Sequence, residues 1–224
     1  MKTLTKICGL SSADALDAAL AEGAEFVGFV FFPPSPRNIS TDVARALGAR
    51  VKARAGKVAL TVDADDALFE TIVEALEPDM LQLHGRETPE RVAELKARFG
   101  LPVMKAIPVE TPADLDAVAR YAGIADWLLF DARAPRDATR PGGLGRPFDW
   151  VLLKNLDPGL RFMLSGGLDP GNVGRALDIT GAPAVDVSSG VELRPGVKDP
   201  AKIADFIRAV RATDAARMKA ASSA

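Results

Sequence analysis

Short runs of apolar, β-branched and aromatic residues recur along the chain at Leu4–Cys8, Phe26–Phe31, Lys57–Val62, Met80–His84, Val103–Ile107, Trp127–Asp131, Arg161–Ser165 and Ala184–Ser188. Each has the length of a strand, and each gives way to turn chemistry and then to a stretch with helical spacing of its apolar positions. Capping residues and acidic first turns mark helix starts at Ser11–Asp14, Ser40–Asp42, Asp63–Asp66, Thr88–Glu90, Thr111–Asp114 and Asp169–Pro170. At two of these starts a Pro follows the Thr, a place where its missing N–H loses no hydrogen bond.

Strands alternating with helices throughout predict a parallel sheet joined by right-handed crossovers. The 224 residues divide into eight units of about 28, close to the minimum for a βα repeat. No segment is left over that could form a second domain. The expected fold is therefore a single α/β domain, a compact (β/α)8 TIM barrel over residues 1–212, with an Ala/Ser-rich tail at 213–224 that frays beyond the last helix. An open doubly wound sheet is the competing arrangement. The first β-to-α turn lacks the Gly-x-Gly-x-x-Gly fingerprint, and no Gly-x4-Gly-Lys-[Ser/Thr] phosphate loop is present, so dinucleotide and nucleotide readings lose their main support.

Two scarcities narrow the chemistry. The chain has one Cys, Cys8, and one His, His84. A lone Cys forms no intrachain disulfide, and one Cys with one His makes neither a structural zinc site of the usual kind nor a three-histidine metal site. The formal net charge of −2, from 28 Lys and Arg against 30 Asp and Glu, provides no basic field for nucleic acid or an anionic membrane. The N-terminal residues lack a signal-peptide pattern and the run Phe26–Phe32 is far too short to span a membrane, so a reducing cytoplasm is the expected compartment.

Strand periodicity then sorts the polar residues. Alternation places Leu4, Lys6 and Cys8 on one face, Gln82 with His84, and Leu129 with Asp131, so polar groups collect at the C-terminal ends of strands one, four and six. In a barrel that end carries the active site. A free Cys also serves as a small buried hydrophobe, but at this position Cys8 is a candidate base, with Lys6 two residues back to favour its thiolate. Asp131 could equally cap a helix. On a strand of apolar neighbours it is a candidate proton donor. His84 is expected to line the site by hydrogen bonding.

Anion-binding signals come in two pieces. Gly166 and Gly167, followed by a helix start, and Ser188-Ser189-Gly190 after the last strand, each offer turn N–H groups to a phosphate. Phosphate sites after strands seven and eight recur in barrels. The proline-stiffened loop Pro33–Ile39 carries Arg37 at its tip, suited to a bidentate grip on a carboxylate. The long connection 132–147 reads as a mobile lid, with Phe148 and Trp150 anchoring its far end.

These pieces resemble the phosphoribosylanthranilate isomerase family of tryptophan biosynthesis, a ribulose-phosphate-binding type of TIM barrel, over Lys6 to about Ala209. The resemblance is carried by Lys-Ile-Cys-Gly at 6–9, Gly-Phe-Val-Phe at 28–31, Ser-Pro-Arg-Asn-Ile at 35–39, Leu-Gln-Leu-His-Gly at 81–85, Phe-Asp at 130–131 and Gly-Gly-x-Gly-x-x-Phe-Asp-Trp at 142–150. Ser-Gly-Gly-Leu-x-Pro-x-Asn-Val at 165–173 and Asp-Val-Ser-Ser-Gly-Val-Glu at 186–192 complete it. It implies an Amadori rearrangement without metal or organic cofactor, with Asp131 as acid, Cys8 as base, Arg37 on the anthranilate carboxylate and Gly166, Gly167, Ser188, Ser189 and Gly190 on the phosphate. Lys6, Gln82, His84 and Asp186 would line the site, and the partner is a small-molecule substrate, the protein being a monomer or homodimer. Arg146-Pro147 stand where the family often has Lys-Thr, and the insert 135–140 has no assigned role. A different sugar-phosphate isomerase or lyase would keep the phosphate turns without needing Cys8 or Arg37, and a noncatalytic phosphate sensor would dispense with the acid or base.

Overall fold

The computed structural model describes residues 2–134, 142 and 147–222. The strands are β1 (Leu4–Cys8), β2 (Phe26–Phe31), β3 (Gly56–Thr61), β4 (Met80–Leu83), β5 (Val103–Val109), β6 (Trp127–Ala132), β7 (Phe162–Leu164) and β8 (Ala184–Val187). They pair in parallel and in chain order, and β8 returns to β1, with Lys6 opposite Asp186, to close the barrel. The open sheet is thereby excluded.

Helices α1 (Ala13–Ala21), α2 (Thr41–Val51), α3 (Asp66–Leu76), α4 (Pro89–Phe99), α5 (Asp116–Tyr121), α6 (Val173–Thr180) and α7 (Pro200–Ser222) cover the outside. Their starts follow the capping signals: Ser12, Ser40, Asp65 and Thr88 each accept a backbone N–H from the first turn. Between β6 and β7 the described residues hold only a 3-10 turn, Trp150–Leu153, in place of a helix. Two small strands follow β8, β9 (Glu192–Arg194) and β10 (Val197–Lys198), forming an antiparallel hairpin before α7.

The two main hydrophobic clusters lie outside and inside the barrel wall, and a small third one of Cys8, Val30 and Leu60 sits near the strand ends. Strand residues such as Ile7, Val27, Phe29, Leu81, Phe130 and Val185 pack outward against helices. Residues of the opposite parity, including Val58, Met80, Met104, Leu129, Met163 and Ala184, fill the lower barrel interior. Above the lower interior, buried polar residues including Lys6, Gln82, Asp131 and Asp186 appear.

The C-terminal tail departs from expectation. Instead of fraying from Thr213, α7 continues to Ser222. Alanine is the strongest helix former, and Asp214 is buried where it accepts hydrogen bonds from Thr3 N at 2.9 Å and Thr3 Oγ1 at 2.6 Å. The tail is thus pinned to the first strand. No helix among the described residues is long and apolar enough to cross a membrane.

Candidate active site

Lys6, Cys8, Gln82, Asp131 and Asp186, near the C-terminal ends of their strands, share the parity of the interior residues Leu4, Met80, Leu129 and Ala184. Lys6 is fully buried, and its ammonium donates to Asp186 Oδ1 at 2.8 Å across the β1–β8 junction. Ser165 Oγ donates to the other carboxylate oxygen at 3.4 Å. Cys8 lies one step above. Gly28, its register partner on β2, leaves the space these groups fill: a Cβ there would be 3.0 Å from Lys6 Nζ and 3.1 Å from Cys8 Sγ.

Burial pushes the Cys8 thiol above the usual cysteine value, and the Lys6 ammonium opposes this by its charge and by hydrogen bonding. The expectation that Lys6 favours the thiolate is correct in sign, but desolvation outweighs it. Burial also pulls the Lys6 ammonium down, while the Asp186 carboxylate and Cys8 together hold it above the usual lysine value. The Lys6–Asp186 ion pair thus lies against a thiol whose burial disfavours the thiolate.

Across the mouth, Asp131 is the last residue but one of β6, with its side chain 7% exposed. Its Oδ1 accepts Ala132 N at 2.9 Å, and its Oδ2 is 3.2 Å from His84 Nε2. The other ring nitrogen of His84 lies 3.3 Å from Gln82 Nε2. The two ring nitrogens of His84 thus face Gln82 on one side and Asp131 on the other. Gln82, His84 and Asp131 form one chain, in which the histidine orients the carboxyl group. Gly142 passes so near that a Cβ on it would overlap both Asp131 Oδ2 and His84 Nε2. The remainder of the expected lid, 135–141 and 143–146, lies outside the described residues, whereas Trp150 is buried and Phe148 packs on the core.

One glycine turn falls beside Asp131, where a Cβ on Gly166 would lie 3.1 Å from Oδ1, and the other beside Cys8. Gly166 and Gly167 take consecutive positive φ values of 83° and 66°, a conformation suited to glycine. Asn172 fixes the turn, donating to Gly167 O at 2.8 Å and accepting from Asp169 N at 2.9 Å. Ser188, Ser189 and Gly190 form the neighbouring turn, and a side chain at Gly190 would collide with Leu168 O, so the turns after β7 and β8 are in contact. The Ser188 hydroxyl is already engaged, donating to Cys8 O at 3.1 Å and accepting from Lys198 Nζ at 3.1 Å. What this residue can offer an anion is its place in the turn.

Arg37 differs most from its sequence reading. It is 4% exposed rather than standing at a loop tip. Its Nε and Nη2 grip both oxygens of Glu192 at 2.7 and 2.9 Å, and its stem packs on Gly9, where a Cβ would lie 2.6 Å from Arg37 Cδ. Glu192 also accepts from Lys198 Nζ at 2.8 Å. Burial raises the Glu192 carboxyl, but Arg37 and Lys198 together hold it below the ordinary range. Burial pulls Lys198 down to about 8 against the opposing charge of Glu192.

Residues 5–209 match the family model described as N-(5′-phosphoribosyl)anthranilate (PRA) isomerase. The chain belongs to this family. A Rhodopseudomonas palustris (strain BisB5) N-(5′-phosphoribosyl)anthranilate isomerase is 64% identical over 214 residues, covering 96% of this chain and 98% of the relative. The Bradyrhizobium diazoefficiens protein of the same name is 62% identical over 213 residues, covering 95% and 96%. Among solved structures, the Thermotoga maritima phosphoribosyl anthranilate isomerase superposes with a TM-score of 0.85 at 33% identity, covering 94% of this chain and 99% of that one. A phosphoribosyl anthranilate isomerase in complex with reduced 1-(o-carboxyphenylamino)-1-deoxyribulose 5-phosphate gives 0.82 at 31% identity, with the same coverage.

Within this PRA isomerase barrel, sequence reasoning missed four contributors. Gly28 and Glu192 stood inside quoted motifs without a role, and their signal was their presence there. Asn172 likewise lay in the 165–173 motif, and its turn-latching follows from the Asp-Pro-Gly-Asn pattern. Lys198 had no signal, because only the return of the hairpin brings it beneath Ser188.

Proposed function

We propose that the chain catalyses the Amadori rearrangement of N-(5′-phosphoribosyl)anthranilate to 1-(2-carboxyphenylamino)-1-deoxyribulose 5-phosphate, in the cytoplasm, as a step of tryptophan biosynthesis. The observation that carries this reading is the pairing of one thiol with one carboxyl at the barrel mouth, beside two abutting anion-type turns. Asp131, oriented by His84, gives a proton to the furanose ring oxygen. The bond from that oxygen to the first sugar carbon then breaks, leaving a Schiff base with the anthranilate nitrogen. Cys8, as thiolate, removes the proton from the second sugar carbon, and its electron pair flows toward nitrogen to form an enolamine. Protonation at the first carbon and loss of the enol proton give the ketone. Every electron pair stays within the substrate, so acid–base groups are sufficient and the reading calls for no cofactor.

Lys6 serves Cys8 by placing an ammonium beside the sulfur, held there by Asp186, whose own charge opposes the thiolate less strongly than Lys6 favours it. The turns at Gly166-Gly167 and Ser188-Ser189-Gly190 hold the sugar phosphate through backbone N–H groups. Arg37 receives the anthranilate carboxylate. Monomer or homodimer is the assembly we infer. A Thermotoga maritima relative is described as dimeric and was also solved as monomers derived from it, which supports either state. The activity is tested by following the fluorescence decay of freshly generated phosphoribosylanthranilate. Enzyme-dependent decay is expected, and Arg37→Ala should raise KM more than it lowers kcat. Decay no faster than in buffer would sink the proposal.

A further inference from the structure

The hairpin after β8 inserts a lysine that none of the roles above employs. Lys198 is 6% exposed, and its ammonium donates to Glu192 Oε1 at 2.8 Å, Ser188 O at 2.8 Å and Ser188 Oγ at 3.1 Å. Those contacts account for all three protons of an ammonium. They join two parts of the site that come from distant stretches of chain. On one side is the turn whose Ser188 hydroxyl bonds to the carbonyl of Cys8. On the other is Glu192, gripped by Nε and Nη2 of Arg37.

Charge arithmetic gives this junction its meaning. The charges of Arg37 and Glu192 cancel in their bidentate contact, and a guanidinium so neutralised is a poor receptor for a second carboxylate. Lys198 adds a third charge to the same carboxylate. The group of Arg37, Glu192 and Lys198 then carries one net positive charge, in a buried setting where charges are weakly screened.

We propose that Lys198 is a positioning residue for substrate recognition: by offsetting Glu192 it keeps the Arg37 end of the site positive, and so sets the preference for a substrate bearing a carboxylate on its aromatic ring. This rests on the reading of Arg37 as the carboxylate-binding residue. Glu192 holds the guanidinium plane in place, and Lys198 compensates the charge that this orientation would otherwise cancel.

The test compares two ligands on the folded protein by calorimetric titration. One is reduced 1-(o-carboxyphenylamino)-1-deoxyribulose 5-phosphate, and the other is its phenylamino counterpart without the carboxylate. Lys198→Met should weaken the first about tenfold, the scale of one charge-assisted contact, and leave the second within about twofold. Lys198→Arg should retain the preference. Lys198→Met/Glu192→Gln, which restores the single positive charge, should recover most of the lost affinity. Lys198→Gln keeps a donor for Ser188 and loses only the charge, so it serves the same comparison if Lys198→Met does not fold. Equal weakening of both ligands, or of neither, would overturn the proposal, since a lysine that merely fastens the hairpin cannot discriminate between them. Arg37→Ala is measured alongside. If it shows no selective loss, the reading of Arg37 falls and the proposal with it, whereas a selective Arg37 with an indifferent Lys198 overturns the proposal alone.

Discussion

Replacing Lys6 with Met removes the positive charge from the pair that sits beneath Cys8. The side chains of Lys6 and Asp186 are 0% and 5% exposed, and their 2.8 Å contact is the main compensation for the carboxylate, whose other oxygen has only the 3.4 Å contact to Ser165. Removing one member of a buried pair leaves the other charge uncompensated, at a cost of about 3–5 kcal/mol. That is a large fraction of the roughly 5–15 kcal/mol that holds a domain folded. Urea denaturation at neutral pH should therefore show a lower midpoint for Lys6→Met, with an unchanged slope. Lys6→Met/Asp186→Leu, which takes out both charges, should recover most of the stability. Activity should not return in the double variant, because burial already raises the Cys8 thiol and Lys6 is the group that opposes it most. A Lys6→Met variant losing less than about 1 kcal/mol, or a double variant with near-normal turnover, would refute the view that this pair serves both the fold and the base.

Gly28→Ala should lower kcat by about tenfold or more at a stability cost of about 1–3 kcal/mol, because the new methyl would displace the Lys6 ammonium or the Cys8 sulfur; unchanged kcat would mean their placement is immaterial. Lys198, faced by Glu192, Arg37 and Cys8, has its pKa lowered to about 8. Affinity for the carboxylate-bearing ligand should weaken as the pH rises through that value, and Lys198→Arg should remove the inflection. Glu192 is held below the 4.5 of an unperturbed glutamate, so its contribution to stability is fully present above 4.5 and is lost as the pH falls through the lower folded value. Glu192→Gln should flatten that part of the acid-denaturation curve. Asp214→Ala should cost about 1–3 kcal/mol by leaving the Thr3 donors unpaired, and an unaltered midpoint would show the tail to be dispensable.

The barrel was legible because both periods were clean. A two-residue period placed Lys6, Cys8, Gln82, His84, Leu129 and Asp131 on the inner face, and capping residues marked the turns between strand and helix. Composition could not show where Arg37 would go. A loop with three prolines suggested an exposed tip, yet Gly196 on the hairpin packs so closely against Pro36 that the loop is held down and Arg37 meets Glu192. The partners are 155 residues apart in the chain, a contact that no local pattern encodes. The tail failed for a related reason: Ala and Ser content suggests fraying, but a single buried aspartate reaching Thr3 is enough to tie a helix to a strand. The thiol's environment was half legible, since Lys6 could be placed beside Cys8 by parity but the weight of desolvation depends on how completely the barrel mouth closes around both.

The most direct measurement is the rate of phosphoribosylanthranilate consumption, followed by fluorescence, for the unmodified chain, Cys8→Ser and Asp131→Asn at matched concentration. A positioned base or acid contributes about 10²–10⁴-fold. Each variant should lose activity on that scale while melting at a temperature close to that of the parent and still binding the reduced product analogue. Near-full turnover by either variant would contradict the assignment of the lone cysteine as base or of Asp131 as acid.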